Sequence, residues 1–128
     1  MQYGTGAAIG IIAFICGLPW QLLIVYAILM AIDIISGVFE AFHNNDWSSK
    51  TMKQGLFKKG QEIMFILAIF AMQYVALSVG IPVPLGSIIV GCFCVKEFGS
   101  IMENYIGMGN NVPDLIKNWF KITQDKIK

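Results

Sequence analysis

Hydrophobic positions along the chain fall into four blocks separated by short polar or proline-bearing breaks. Three blocks are long: Trp20–Phe42, Gln61–Ile81 and Leu85–Ile106. A hydrocarbon layer ~30 Å thick takes ~20 apolar residues as helix, so each block predicts a transmembrane α-helix. The fourth, Gly6–Leu18, is shorter and rich in glycine. It either crosses the membrane as a fourth span or lies in the interface. Pro19 ends it, because proline lacks an N–H and disfavours helix in the residue before it. Ile81-Pro82-Val83-Pro84 reads as a tight turn between the last two spans, and His43–Gly60 as a polar loop. From Pro113 the pattern changes again. Leu115, Ile116, Trp119 and Phe120 share one face, Asp114 suits the positive end of a helix, and lysines line much of the remainder. This predicts an amphipathic helix resting on the inner leaflet, attracted by anionic lipid. The expected fold class is all-α: a polytopic membrane protein with three or four transmembrane helices and a C-terminal amphipathic helix. Residues 1–106 form the membrane domain and residues 107–128 a cytoplasmic tail.

Lysine placement supplies the topology. Lys50, Lys53, Lys58 and Lys59 cluster in the polar loop, and Lys117, Lys121, Lys126 and Lys128 in the tail. Lys50, Lys53, Lys58, Lys59, Lys117 and Lys121 are the expected membrane-surface basic residues, and the positive-inside rule puts both groups in the cytoplasm. The helices on either side of the proline turn then form a hairpin that goes out and returns. With four spans the N-terminus is inside; with three it is outside.

Composition narrows the function classes. Of 128 residues, 56% are hydrophobic and 13% charged, with a formal net charge of +1. Soluble domains average about 25% charged residues, and disorder requires low hydrophobicity with high net charge. A net charge near zero gives no basic field for nucleic acid. Gly6–Leu18 has no basic region before it and no clear cleavage site after it, so it is not read as a signal peptide. Cys16, Cys92 and Cys94 lie in apolar runs and read as small packing residues. The single histidine, His43, reads as a solvated loop residue. No HExxH, GxSxG, phosphate-binding or dinucleotide motif occurs, so neither an enzyme nor a cofactor- or metal-binding protein is expected.

The candidate functional residues are those that lipid should exclude. Asp33 lies near the middle of the first long span, and Lys96 and Glu97 near the middle of the last. Each such charge costs ~2.5–3.5 kcal/mol at a helix centre, so each needs a partner, water or a change of protonation. Asp33 and Lys96 sit at similar depth, which predicts an ion pair within one subunit or between neighbours. Two polar stripes follow helical spacing: Asp33, Ser36, Gly37 and Glu40 on one helix, and Lys96, Gly99, Ser100 and Glu103 on the other. With Glu97 they are candidate oligomerisation or pore-lining residues. The alternative is that they only hold the bundle together by hydrogen bonds. Gly6 and Gly10 form a GxxxG, and Ala27/Ala31 and Gly37/Ala41 are further small-xxx-small pairs that favour close helix contact.

Three strings, in order, resemble a known family. Leu22–Phe42 (LLIVYAILMAIDIISGVFEAF) resembles the aspartate-and-glycine helix of the phage lysis and toxin-secretion holins, which include clostridial toxin-release holins. Asn45–Lys59 (NDWSSKTMKQGLFKK) resembles their Ser-Ser-Lys segment with its glycine and lysine pair. Lys96–Lys117 (KEFGSIMENYIGMGNNVPDLIK) resembles their final helix and proline-led tail. Lys96 departs from the pattern, where a small polar residue is expected. The resemblance implies a homo-oligomer in the bacterial cytoplasmic membrane that opens pores or lesions and releases an endolysin, or a large toxin, from the cytoplasm. Partners would be other copies, membrane lipid and that cargo. Two rival classes remain: a small ion or proton channel or transporter using Asp33, Lys96 and Glu97, and a structural membrane subunit.

Overall fold

The computed structural model describes residues 2–127, with side chains over residues 4–123, and these form five helices with no strand among them. They are α1 (Gln2–Cys16), α2 (Trp20–His43), α3 (Ser49–Ser78), α4 (Leu85–Gly107) and α5 (Asp114–Ile127). Of these, α2, α3 and α4 are long and apolar enough to cross a membrane, whereas α1 is a shorter apolar helix. The tail lysines Lys126 and Lys128 lie outside the described side chains.

Helix ends follow local chemistry. Pro19 separates α1 from α2, and the indole Nε1 of Trp20 donates back to the Ile15 carbonyl at 2.8 Å, closing the corner. Ser48 is extended and its hydroxyl accepts from the Thr51 N–H at 3.4 Å, the arrangement of an N-cap. At the other end of α3, Gly80 takes φ +86°, open chiefly to glycine. The Gly80 N–H then reaches Leu77 O and the Ile81 N–H reaches Ala76 O, a Schellman closure ahead of Pro82 and Pro84.

One expectation fails here. The segment read as a loop through Gly60 is helical from Ser49, so α3 has 30 residues and is about 45 Å long. Its first turns are amphipathic rather than irregular: Met52 and Lys59 are half-buried, while Lys50, Lys53, Gln54 and Lys58 are exposed.

Packing has a constant register. Tyr26 meets Phe93, Gly37 meets Asn104 and Glu40 meets Gly107, so α2 and α4 run parallel. Lys59 meets Glu97, Glu62 meets Lys96, Phe65 meets Phe93 and Phe70 meets Gly86, so α3 runs antiparallel to both. The α4 backbone packs on α2 and on α3, but α2 and α3 make no close backbone contact. Nearer the proline turn, Tyr26, Met30, Ile66, Phe70 and Val90 form a buried core. Val112 of the α4–α5 linker is buried, and α5 returns along α4 with Phe120 against Gly99 and both Trp119 and Phe120 on the Phe98 ring. Leu115 of α5 stays 81% exposed.

A Cβ on Gly86 would run into the Phe70 ring, which is itself buried. Gly86→Val should therefore destabilise the bundle by about 1–3 kcal/mol. Unfolding titrations in mixed micelles would show a lower midpoint, and adding Phe70→Ala should recover part of the loss.

Candidate functional site: a buried charge network

Below the apolar core, α3 turns two residues inward at i, i+3 spacing, Lys59 and Glu62. Each becomes the centre of a bridge across all three long helices. The Lys59 ammonium donates to Asp33 Oδ2 of α2 at 2.8 Å and to Glu97 Oε2 of α4 at 2.7 Å. The Glu62 carboxylate accepts from the Tyr26 hydroxyl of α2 at 2.6 Å and from Lys96 Nζ of α4 at 2.5 Å. The two bridges have opposite polarity, a cation between acids and an acid between donors. Because the α2 and α3 backbones stand apart, these side chains couple those two helices directly.

Burial sets the cost of each group. Glu97 is wholly buried and Glu62 nearly so, while the Lys59 and Asp33 side chains are 17% and 13% exposed. Lys96 differs: its side chain is 56% exposed, with the ammonium 5.5 Å from the centre of the Phe93 ring. A third polar knot lies towards the lysine-rich end. Asn104 Nδ2 is within hydrogen-bond reach of Ser36 Oγ (2.9 Å), Asp33 Oδ1 (3.1 Å) and the Asp33 carbonyl (3.3 Å). The Ser36 hydroxyl donates to that same carbonyl at 3.1 Å. Glu97 Oε1 has no hydrogen-bond partner among the described residues.

The structure thus places the expected residues unevenly. Asp33 and Glu97 belong to the network, and Ser36 and Gly37 lie on the α2–α4 seam against Asn104. Glu40 lies against Gly107, where a side chain would collide with it. Ser100 and Glu103 line a cavity of about 310 Å³ between the lysine-end halves of the helices, together with Asp33, Gly37, Lys59 and Asn104. The expected Asp33–Lys96 pair does not form within the chain: Lys59 takes Asp33, and Lys96 takes Glu62. Lys59, expected at the membrane surface, turns inward, whereas Lys50, Lys53, Lys58, Lys117 and Lys121 are exposed. Tyr26, Glu62 and Asn104 were not among the expected residues, and Lys59 was expected in another role. The signal for two of them was present: Lys59, Glu62, Ile66, Phe70 and Gln73 recur at three- and four-residue spacing and make one helix face.

The class this defines is a small helical membrane protein whose interior charges are closed on one another. Its family follows from comparison with known proteins. Residues 10–125 match the model of the bacteriophage holin family, nearly the whole chain, and the protein belongs to that family. An uncharacterized protein of Listeria innocua is 27% identical over 123 residues, covering 96% of this chain and 84% of its own length. No solved structure matches.

Removing one partner of a buried pair leaves an uncompensated charge, at a cost of about 3–5 kcal/mol. Lys59→Met should show a loss of that size in unfolding titrations. Asp33→Asn together with Glu97→Gln should restore much of it. Lys96→Met leaves the buried Glu62 carboxylate with the Tyr26 hydroxyl alone, so it should also destabilise, but by less than Lys59→Met, because the Lys96 side chain is 56% exposed and its pair is partly screened by solvent.

Proposed function

We propose that the protein acts as a holin. It accumulates in the bacterial cytoplasmic membrane, self-associates, and opens pores or lesions through which an endolysin or a large toxin leaves the cytoplasm. The observation that carries this reading is the match of nearly the whole chain to the bacteriophage holin family. The physical features support it. With Asp33, Glu97 and Glu62 paired inside, one chain presents an apolar α2 face to lipid or to other copies. That face is a ridge: Ile24 (55% exposed), Ile28, Ile32, Ile35, Phe39 and Phe42 (57%). One small bundle has no room for a protein-sized passage, so passage requires many copies, for which closed cyclic symmetry is the usual solution.

On this reading α2, α3 and α4 are three crossings, and α1 lies beside the proline-turn end, where Phe14 meets Tyr74 edge-on at 6.1 Å. The lysine-bearing end and the α5 tail face the cytoplasm, following the positive-inside rule. Leu115, Trp119 and Ile122 of α5 are exposed and meet the inner leaflet, where the tail lysines favour anionic lipid. No catalytic step is assigned to the chain. A selective ion or proton relay fits less well, because Asp33 and Glu97 close on a single ammonium rather than forming a row of separate stations.

Induced expression in a bacterial host tests the proposal. Growth should stop abruptly, and a large cytoplasmic reporter enzyme should escape through a wall opened by a co-expressed endolysin. Dissipation of an ion gradient with the reporter fully retained would refute it. Lys59→Met should lower the yield of folded protein and delay the onset.

A further inference from the structure

At the lysine-rich end, the bundle carries two unlike surfaces at the same height. The register fixes this. Counting along α3 from its contacts with α4, Lys53 stands level with Asn104 and therefore with Gly37 of α2. By the same count Gln61 stands level with Lys96, near Leu29 of α2. Between those heights α3 exposes Lys53, Gln54, Lys58 and Gln61 on one helix face, with a single aromatic ring, Phe57 (70% exposed), among them. Over the same heights α2 exposes Ile32 and Ile35, with Phe39 just beyond. Because α4 packs on both helices while α2 and α3 stand apart, the two surfaces look out on different sides.

No single surrounding suits both. Lipid suits the isoleucines, but at mid-membrane depth it costs ~2.5–3.5 kcal/mol for each lysine. Water suits the lysines and leaves the isoleucine and phenylalanine ridge uncovered. Lys96 sharpens the conflict: it lies at the α3–α4 seam, halfway along α4, with its side chain 56% exposed. It carries the polar surface to the middle of the span. Beyond that height α3 exposes no further lysine or glutamine, and its outer surface is carried by residues such as Met64 (71% exposed) and Met72 (60%).

We propose that in the assembled protein the α3 surface of Lys53, Gln54, Lys58 and Gln61, with Lys96 at its inner limit, lines a water-filled lumen, while the α2 ridge faces lipid. This deepens the holin reading and rests on it. Each copy contributes three ammonium groups to that lining. Three of the nearby acids are taken up inside the bundle, Asp33 and Glu97 by Lys59 and Glu62 beneath Lys96, which leaves the exposed Glu103 as one carboxylate at that height against three ammonium groups. The lumen is therefore cationic in its lysine-end half and passes small anions in preference to small cations.

The test places single nitroxides on the full chain in lipid vesicles, with Cys16, Cys92 and Cys94 replaced by alanine. Labels at Gln54→Cys, Lys58→Cys and Gln61→Cys are compared with labels at Ile32→Cys, Ile35→Cys and Phe39→Cys. The α3 labels should be several-fold more accessible to a water-soluble nickel complex than the α2 labels, which should favour oxygen. The inference is overturned if the α3 labels favour oxygen, or if the α2 labels are equally open to nickel because that whole end stands outside lipid. In leak assays, Lys53→Glu combined with Lys58→Glu should lower the anion-to-cation permeability ratio several-fold. An unchanged ratio overturns the inference as well. Reporter release with the α3 labels buried in lipid sinks this inference alone. A hydrated α3 surface with no release of protein sinks the release reading instead.

Discussion

A full charge in hydrocarbon is tolerated only with an opposite charge in hydrogen-bond contact, and in this protein α3 provides the opposite charges. Lys59 holds Asp33 and Glu97 on either side, and one turn along Glu62 holds Tyr26 and Lys96. Everything else in the bundle is arranged around that requirement. The α2–α4 pair packs closely through Gly37 and Gly107, which brings both acids to one nitrogen. The α2 and α3 backbones can stand apart because these long side chains span the gap. A buried pair is not a large net source of stability, since desolvation offsets much of the attraction. Its effect is to fix register, because a one-residue slip of α3 would strand Glu97 without its cation.

Closing the charges inside one chain changes what copies must do for each other. An isolated protomer has little need of neighbours to shelter Asp33 or Glu97. It can enter the bilayer and remain there with its α2 ridge in lipid. On the proposed holin reading, association then depends on the outer surfaces, and above all on those that lipid serves badly: the lysine-bearing face of α3 and the half-exposed Lys96. On this account the polar interior sets the shape of the subunit, and the polar exterior sets the shape of the assembly.

Much of the fold was legible in the sequence. Two long apolar blocks end within a residue of α2 and α4, and the proline-led tail is a helix from Asp114. Hydropathy fails at α3 for a physical reason. An average over a window cannot see that Met52, Lys59 and Glu62 face one way while Lys53, Lys58 and Gln61 face the other. A Ser48 cap with Thr51 three residues later marks the true start of that helix. The partners of the candidate site were less legible. Asp33 and Lys96 were matched by depth alone, and depth does not say which helix lies between them. Only the antiparallel register of α3 puts Lys59 beside Asp33 and Glu62 beside Lys96. Asn104 gave no signal, because a single amide near a helix end looks the same whether it is buried or solvated.

The central claim is that the cation for Glu97 comes from the same chain. Solid-state NMR on membranes can test this through the dipolar coupling between a labelled lysine side-chain nitrogen and a labelled glutamate carboxyl carbon, assigned with Lys59→Arg and Glu97→Gln controls. The decisive step is dilution of the labelled chain into a large excess of unlabelled chain. A Lys59–Glu97 coupling that survives dilution at full strength is the predicted result. A coupling that fades in proportion to dilution would show that neighbouring copies supply the charge, and would contradict the account.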